Sequence, residues 1–453
     1  MHKNFCILPF IHLATTTEGT CRLCCKVSKH DVILDDNGVP YNVNTHSIDE
    51  IWNSKHYREL RHKVWEQDQQ LPECATCWRE EEIFSSDWSK HKKEELPSKR
   101  RKENQKWLHK PHTKINDQWE DIIDNPRIRY YDIRLSNLCN LKCRMCWPHF
   151  SSQIVREQKQ FASMGLPTHY KHYDVAEWDT AKLWSSINDG IAEIEEITFV
   201  GGEPTLHDEM YELVDKLVQN NLAKNIRLKL TSNLTNIQQR FLELMHKFDS
   251  VEINGSIDGI DDVNNYIRYP SDWVTIEHNI DKLLAIKNVQ INLTPVIQIY
   301  NIMHIDRLTR WYTDKWIQQQ LGSRFTLSYD LLYDPDYLSA KQLNKSAKYT
   351  WYTDVYQPVT KYLNSIIDTV DTQTQTVQDH WRELDKLKKR IVNIALYIEV
   401  LGFDKQNNSW RYWYNDTALP ELAVKLHKYT KQLDQHRGQN ITDIVPNFYE
   451  IIQ

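Results

Sequence analysis

The run NLCNLKCRMC, residues 137–146, sets Cys139, Cys143 and Cys146 within eight positions of one another. Spaced as CxxxCxxC on a loop, three thiolates can wrap three corners of a cubane iron–sulfur cluster. Such clusters normally take four cysteine ligands. No fourth cysteine stands nearby, which leaves one iron open for a small chelating ligand. A three-thiolate zinc site is the plainer alternative, but zinc motifs usually pair CxxC with a second CxxC or with histidines. The preceding residues, IRYYDIRLS (128–136), alternate and are rich in β-branched and aromatic side chains, as a strand is. The cysteine run therefore lies at the C-terminal end of a strand, where α/β folds place their active sites.

The other cysteines are Cys6, Cys21, Cys24, Cys25, Cys74 and Cys77, and none follows Cys146. Scattered structural cysteines would not stop there. A chain of 453 residues exceeds one ordinary core, so two or three domains are expected. No stretch of about 18 apolar residues suggests a membrane span, and MHKNFCILPF has no small-residue cleavage site after its short apolar run. The net charge of -6 argues against general nucleic-acid binding. We expect an acidic cytoplasmic protein whose cysteines serve metal and not disulfides.

Downstream, EITFVGGEPTLHDEM (196–210) reads as an apolar strand, then Gly201-Gly202-Glu203-Pro204, then the start of a helix. Glycines at a strand end let backbone approach a ligand closely, and a carboxylate with nearby carbonyls can accept hydrogen bonds from an ammonium group. More strand–loop–helix units follow. IRLKLTSNLTN (226–236) ends in Thr231, Ser232 and Asn233, and SVEINGSIDGIDDVNNYIR (250–268) carries Ser256, Asp258 and Arg268. VQINLTPVIQIYN (289–301) and FTLSYDLLY (325–333) complete six strands. Amphipathic stretches such as DEMYELVDKLVQNNL (208–222) lie between them, and the alternation implies a parallel sheet with right-handed crossovers.

The CxxxCxxC run followed by GGE resembles the signatures of the radical S-adenosylmethionine (SAM) superfamily. The resemblance implies a partial (β/α)6, TIM-like barrel and a SAM-chelating 4Fe–4S cluster on Cys139, Cys143 and Cys146. It also implies an external electron donor such as flavodoxin or ferredoxin. In that family SAM is cleaved to a 5′-deoxyadenosyl radical that abstracts hydrogen from a substrate. Gly201, Gly202 and Glu203 match the motif that holds the SAM amino group. Ser256, the best match, and Asn233 and Arg268 are matched to residues that contact the ribose and carboxylate. Each also has a plain reading as turn former, cap or surface ion pair. Met145 stands where the family often has an aromatic residue near adenine; it is apolar but cannot stack.

The first cysteine group resembles a SPASM or twitch domain, which holds an auxiliary iron–sulfur cluster. Cys6, Gly19 and Cys24, the segment EIWNS, and Cys74-x-x-Cys77 follow in the expected order. Such domains usually follow the barrel; here the element precedes it. The ligand set inferred from spacing is Cys6, Cys24, Cys74 and Cys77, with Cys21 or Cys25 as a substitute for Cys24. A zinc ribbon on Cys21, Cys24, Cys74 and Cys77 is the alternative.

The expected domains are residues 1–82 for the auxiliary cluster, a charged linker at 83–127, the barrel at 128–335 and a helical extension at 336–453. The lysine- and arginine-dense run at 89–110 reads as a solvated linker. Trp410, Trp413 and Tyr414 read as core aromatics of the extension. Subfamily analogy favours a peptide or protein substrate, then a sugar, nucleotide or other small metabolite. A zinc-stabilised binding protein on a degenerate barrel is the third reading. Asp258 and Asp330 fall at strand ends, but no residue is singled out to complete the reaction.

Overall fold

Short apolar runs closed by turn residues become the strands that the alternation predicts. A computed structural model of the chain describes residues 4–27, 31–85, 99–108, 119–170, 174, 180–368, 375–404, 409–412 and 418–452. The chain divides into two compact units. The first comprises Met1–Cys139, Pro148–Thr231 and Glu243–Val251. The second comprises Asn140–Trp147, Ser232–Leu242 and Glu252–Gln453.

In the first unit, β1 (His12–Thr15), β2 (Cys21–Arg22), β3 (Tyr130–Arg134), β4 (Glu196–Val200) and β5 (Arg227–Ser232) stand in the order β2-β1-β3-β4-β5. The pairs β1–β3, β3–β4 and β4–β5 are parallel, and β1–β2 is antiparallel. The N-terminal segment is thus no separate bead. Its strand β1 extends the barrel sheet, with His12 opposite Tyr130 and Ala14 opposite Asp132. Between β4 and β5 the helix Asp208–Gln219 buries Met210, Leu213, Val214 and Leu217, the apolar stripe of its sequence. Ser47 and Glu50 form a reciprocal capping box that starts the helix Ile48–Trp52.

The stretch expected as a charged linker is partly folded. Lys99–Leu108 is a helix, with Trp107 fully buried and Arg100 nearly so. Charge density alone suggests solvent, but Arg100 forms an ion pair with Glu81 at 2.5 Å, which offsets its desolvation. Residues 89–98 and 109–110 of the basic run lie outside the described residues.

From Glu252 onward the second unit continues the strand–helix alternation with the rest of β6 (Ser250–Gly255) and with β7 (Val289–Leu293). β8 (Val296–Ile297) comes before β9 (Phe325–Leu327), and β10 (Asp330–Leu331) after it. β6, β7 and β9 stand in that order, with β7 parallel to β9; β8 and β10 form a short parallel pair. The sheets are mostly parallel α/β, as expected. The extension contains the long helices Gln375–Tyr397 and Pro420–Arg437, yet it is not wholly helical. β11 (Leu401–Asp404) pairs antiparallel with β12 (Ser409–Tyr412), two segments of alternating apolar–polar sequence that the helical reading overlooked. Trp410 falls on β12, whereas Trp413 and Tyr414 lie outside the described residues. No helix among the described residues is long and apolar enough to cross a membrane.

Candidate metal and cofactor centres

The entry to the cysteine run is held by its own backbone. Asn137 is fully buried; its side chain donates to the Pro148 carbonyl at 2.9 Å, and its own carbonyl accepts from Ser152 N–H at 2.6 Å. Leu138 N–H donates to Ser136 Oγ at 2.9 Å, while Cys139 N–H donates to Ser152 Oγ at 3.3 Å. The GGE turn after β4 closes on the same segment, with Glu203 N–H donating to the Leu138 carbonyl at 2.8 Å. Gly202 has φ +52°, and a Cβ there would lie 2.1 Å from the Leu138 carbonyl oxygen. Any side chain would push the turn off the loop. Gly201 precedes it in the same turn. The Glu203 carboxylate is fully buried and accepts from Thr205 Oγ1 at 2.7 Å. The GGE turn and the entry to the cysteine run thus form one hydrogen-bonded piece.

The remainder of the run belongs to the second unit. Cys146 N–H donates to the Cys143 carbonyl at 3.1 Å, closing a turn between the two cysteines. Lys142 N–H and Arg144 N–H donate to the carbonyls of Tyr269 and Ile267 at 2.8 and 2.9 Å. Burial raises the Cys143 thiol above its ordinary pKa, opposed by the Arg268 guanidinium. Burial and the neighbouring Cys143 push Cys146 up to about 12. Bare thiols in this setting stay protonated at neutral pH; a bound metal centre would deprotonate them. Three thiols within one run are the donor set that an iron–sulfur cluster takes. Met145 beside them is half-buried.

Asn233 donates to Asn140 Oδ1 at 2.9 Å and accepts from Thr235 Oγ1 at 2.6 Å, so its amide braces the cysteine run. Ser256 is half-buried, and its N–H donates to the Ser232 carbonyl at 2.8 Å. Arg268 is buried against Asp258, with Nε 2.7 Å from Oδ2. Asp258 Oδ1 also accepts from Val296 N–H at 2.8 Å. The pair leaves Asp258 poorly suited to be a mobile base, while Asp330 on β10 is exposed.

The N-terminal cysteines come together in the first unit. Cys6, Cys24, Cys74 and Cys77 line one small cavity with Lys26 and Arg100. Cys21 and Cys25 do not line it. Burial first, then the closeness of Cys74 and Cys24, raises the Cys6 thiol; burial pushes Cys74 up to about 12, partly opposed by Arg100. Among the described residues no three cysteine, histidine or carboxylate groups lie close enough to hold one bare ion; the four thiols ring a cavity.

Gly19 makes the turn that leads back to Cys24. Its φ is +85°, and a Cβ would meet Asn42 Oδ1 at 2.6 Å. The helix Lys99–Leu108 clamps the backbone around Cys6. Arg100 and Asn104 both donate to the Phe5 carbonyl at 2.8 Å, and Ile7 N–H donates to Asn104 Oδ1 at 2.8 Å. The sequence reading missed these residues, and their only signal was helical spacing inside a charge run.

The radical SAM superfamily model matches residues 133–311, and that of an iron–sulfur cluster-binding domain, SPASM, matches residues 6–78. A GTP 3',8-cyclase of Actinobacillus pleuropneumoniae serotype 5b (strain L20) is 24% identical over 220 residues, 45% of this chain. The chain spans 56% of the length of that relative. Among solved structures, native anSMEcpe with bound AdoMet is similar at TM-score 0.34 and 19% identity, over 52% of this chain and 64% of that one. Streptococcus suis SuiB bound to precursor peptide SuiA is similar at TM-score 0.33 and 16% identity, over 53% of this chain and 46% of that one.

Proposed function

We propose that this chain, which carries a radical SAM domain behind a SPASM iron–sulfur domain, is an enzyme that cleaves SAM reductively and abstracts hydrogen from a peptide or protein. The observation that carries the SAM reading is the bond from Glu203 N–H to the Leu138 carbonyl, which ties GGE to the loop entering Cys139. Cys139, Cys143 and Cys146 would hold one 4Fe–4S cluster, and Cys6, Cys24, Cys74 and Cys77 a second. When bound, the first cluster supplies the electron that splits SAM into methionine and the 5′-deoxyadenosyl radical.

The chain's own residues bind and orient. Gly201 and Gly202 bring backbone to the ligand, and the buried Glu203 carboxylate is suited to receive the SAM ammonium. Ser256 and Arg268 would meet its ribose and carboxylate, and Met145 its adenine; Asn233 braces the loop. The fully ligated N-terminal cluster suits electron transfer or structure. Both clusters would require reduced thiols, which supports a cytoplasmic setting and a small electron donor of the flavodoxin or ferredoxin kind.

Peptide modification is favoured by the pairing of a SPASM domain with the barrel. The nucleotide reading draws on the cyclase relatives. The test is anaerobic reconstitution, reduction with dithionite and SAM, and detection of 5′-deoxyadenosine. Stimulation by a random peptide pool but not by GTP supports the peptide reading; stimulation by GTP alone reverses it. No 5′-deoxyadenosine from iron-loaded protein would sink the SAM reading itself.

A further inference from the structure

Arg144, between the second and third cysteines of the run, is fully buried. A guanidinium reaches such a place only with its charge paired, and here every donor group but Nη1 is also hydrogen-bonded. Its Nε donates to the Tyr266 carbonyl at 3.1 Å. One terminal nitrogen donates to Asp434 Oδ1 at 2.5 Å and to Gln439 Oε1 at 2.8 Å. The guanidinium lies over the Tyr266 ring, 3.7 Å from its centroid. The backbone is fixed as well: Arg144 N–H donates to the Ile267 carbonyl at 2.9 Å, and the Arg144 carbonyl accepts from the Tyr429 hydroxyl.

Asp434 is itself held by its neighbours. It accepts from the Tyr266 hydroxyl at 2.9 Å and from Ile441 N–H at 2.8 Å. Tyr429 and Asp434 sit on the helix Pro420–Arg437, and Gln439 comes just after it. The helix has Pro420 in its first turn and ends at Gly438, whose N–H closes on the Asp434 carbonyl. Arg437, in the last turn, adds a positive charge that acts on Cys143.

An ion pair of this kind is a poor way to gain stability. Apolar residues of equal volume often do as well or better. What it supplies is position.

We infer that the helix Pro420–Arg437 is a working part of the cysteine-run site, clasping Arg144 through Asp434 and Tyr429 so that Cys143 and Cys146 hold the cluster in the geometry SAM requires. The inference rests on the reading that these cysteines carry a SAM-binding cluster. Asp434 and Tyr429 are positioning residues, acting on the ligands through Arg144.

The test uses full-length protein, reconstituted and reduced, titrated with SAM while the change in the electron paramagnetic resonance spectrum is followed. Groups that orient metal ligands typically carry about 10–100-fold in affinity or activity. Asp434→Asn is expected to raise the SAM concentration at half-change by about that factor. Tyr429→Phe, which loses one hydroxyl, should raise it about two- to tenfold. Arg144→Lys keeps the charge but not the planar fork, and should restore only part of the wild-type response.

An unshifted SAM titration in both Asp434→Asn and Tyr429→Phe overturns the inference, even if their iron content or melting temperature falls. Should Asp434→Asn not fold, Tyr429→Phe decides. A wild-type protein whose loaded clusters show no SAM-dependent change overturns the reading beneath the inference.

Discussion

The two cysteine groups solve the same problem in opposite ways. Cys139, Cys143 and Cys146 are neighbours in sequence, and the turn from Cys143 to Cys146 is closed by a local hydrogen bond, although distant residues brace it. Cys6, Cys24, Cys74 and Cys77 are drawn from distant stretches, and the fold itself must gather them around their cavity. On the proposed reading, the local group would leave a ligand position open by having too few thiols. The gathered group closes its cavity with four, plus Arg100 from a helix beyond the domain. An open centre suits chemistry on a bound ligand, and a closed one suits structure or electron transfer.

The comparison breaks most sharply on the cysteines themselves. Loaded wild-type protein is expected to hold about eight irons, two four-iron clusters. Exchanging Cys139, Cys143 and Cys146 for alanine should remove about four irons and abolish 5′-deoxyadenosine formation, leaving the other cluster in place. Exchanging Cys74 and Cys77 should remove the other four and spare SAM cleavage in the absence of substrate. Iron and sulfide analysis beside a chromatographic assay reads both. If either set of substitutions removes both clusters, the two sites are not independent. A stoichiometry of one zinc in the N-terminal cavity would make that domain purely structural.

Gly202→Ala tests the local site without touching a ligand. A Cβ would overlap the Leu138 carbonyl oxygen at 2.1 Å on a backbone with φ +52°. The GGE turn must then move away from the loop by a substantial fraction of an ångström. Displacements of about 1 Å cost around 100-fold in rate, and SAM cleavage per cluster should fall by about that much. Unchanged cleavage would mean that the turn has no part in holding SAM.

What the sequence discloses follows the same division. The cysteine run and GGE were legible because their chemistry depends on short spacing and on backbone that only glycine permits. The strand–helix alternation was legible because a half-buried strand such as β5 shows a strict period of two. Arg144 was not. It stands inside the motif, but Asp434 is 290 residues away and no local pattern names it. Arg100 was actively misleading, since a run of lysines and arginines has the composition of a solvated linker. Only the fold reveals that Glu81 and the Phe5 carbonyl are waiting for it. Arg268 shows a subtler limit: the resemblance assigns it the role of the family's arginine, but the sequence did not disclose that Asp258 is its ion-pair partner.

Arg100→Met probes the gathered site through that hidden contact. Removing the guanidinium takes from Glu81 the partner it holds at 2.5 Å and leaves it Arg101 at 3.3 Å, so the loss falls below the roughly 3–5 kcal/mol of a buried charge left wholly unpaired. The backbone at Phe5, next to Cys6, loses a donor as well. Lower denaturation midpoints and fewer irons in the N-terminal cluster are expected, with SAM cleavage at the other site retained. Loss of iron from the cysteine run instead would show that the helix Lys99–Leu108 serves the wrong centre.

The smallest effect separates ligand from bystander within the first group. Cys21 is as deeply buried as any of its neighbours, but it lies on β2, where its N–H donates to the Tyr41 carbonyl and its carbonyl accepts from Ile33 N–H. Its thiol is pushed up to about 12 by burial, with no neighbouring thiolate contributing, unlike Cys6 and Cys24. Cys21→Ala should therefore keep its full iron complement and lose about 1 kcal/mol for the small void, read as a modest fall in the denaturation midpoint. Cys24→Ala should lose the N-terminal cluster. The reverse outcome would put a CxxC knuckle of Cys21 and Cys24 at the centre of the domain, the arrangement a zinc ribbon uses. It would also move the ligands off the cavity that Cys6, Cys24, Cys74 and Cys77 line together.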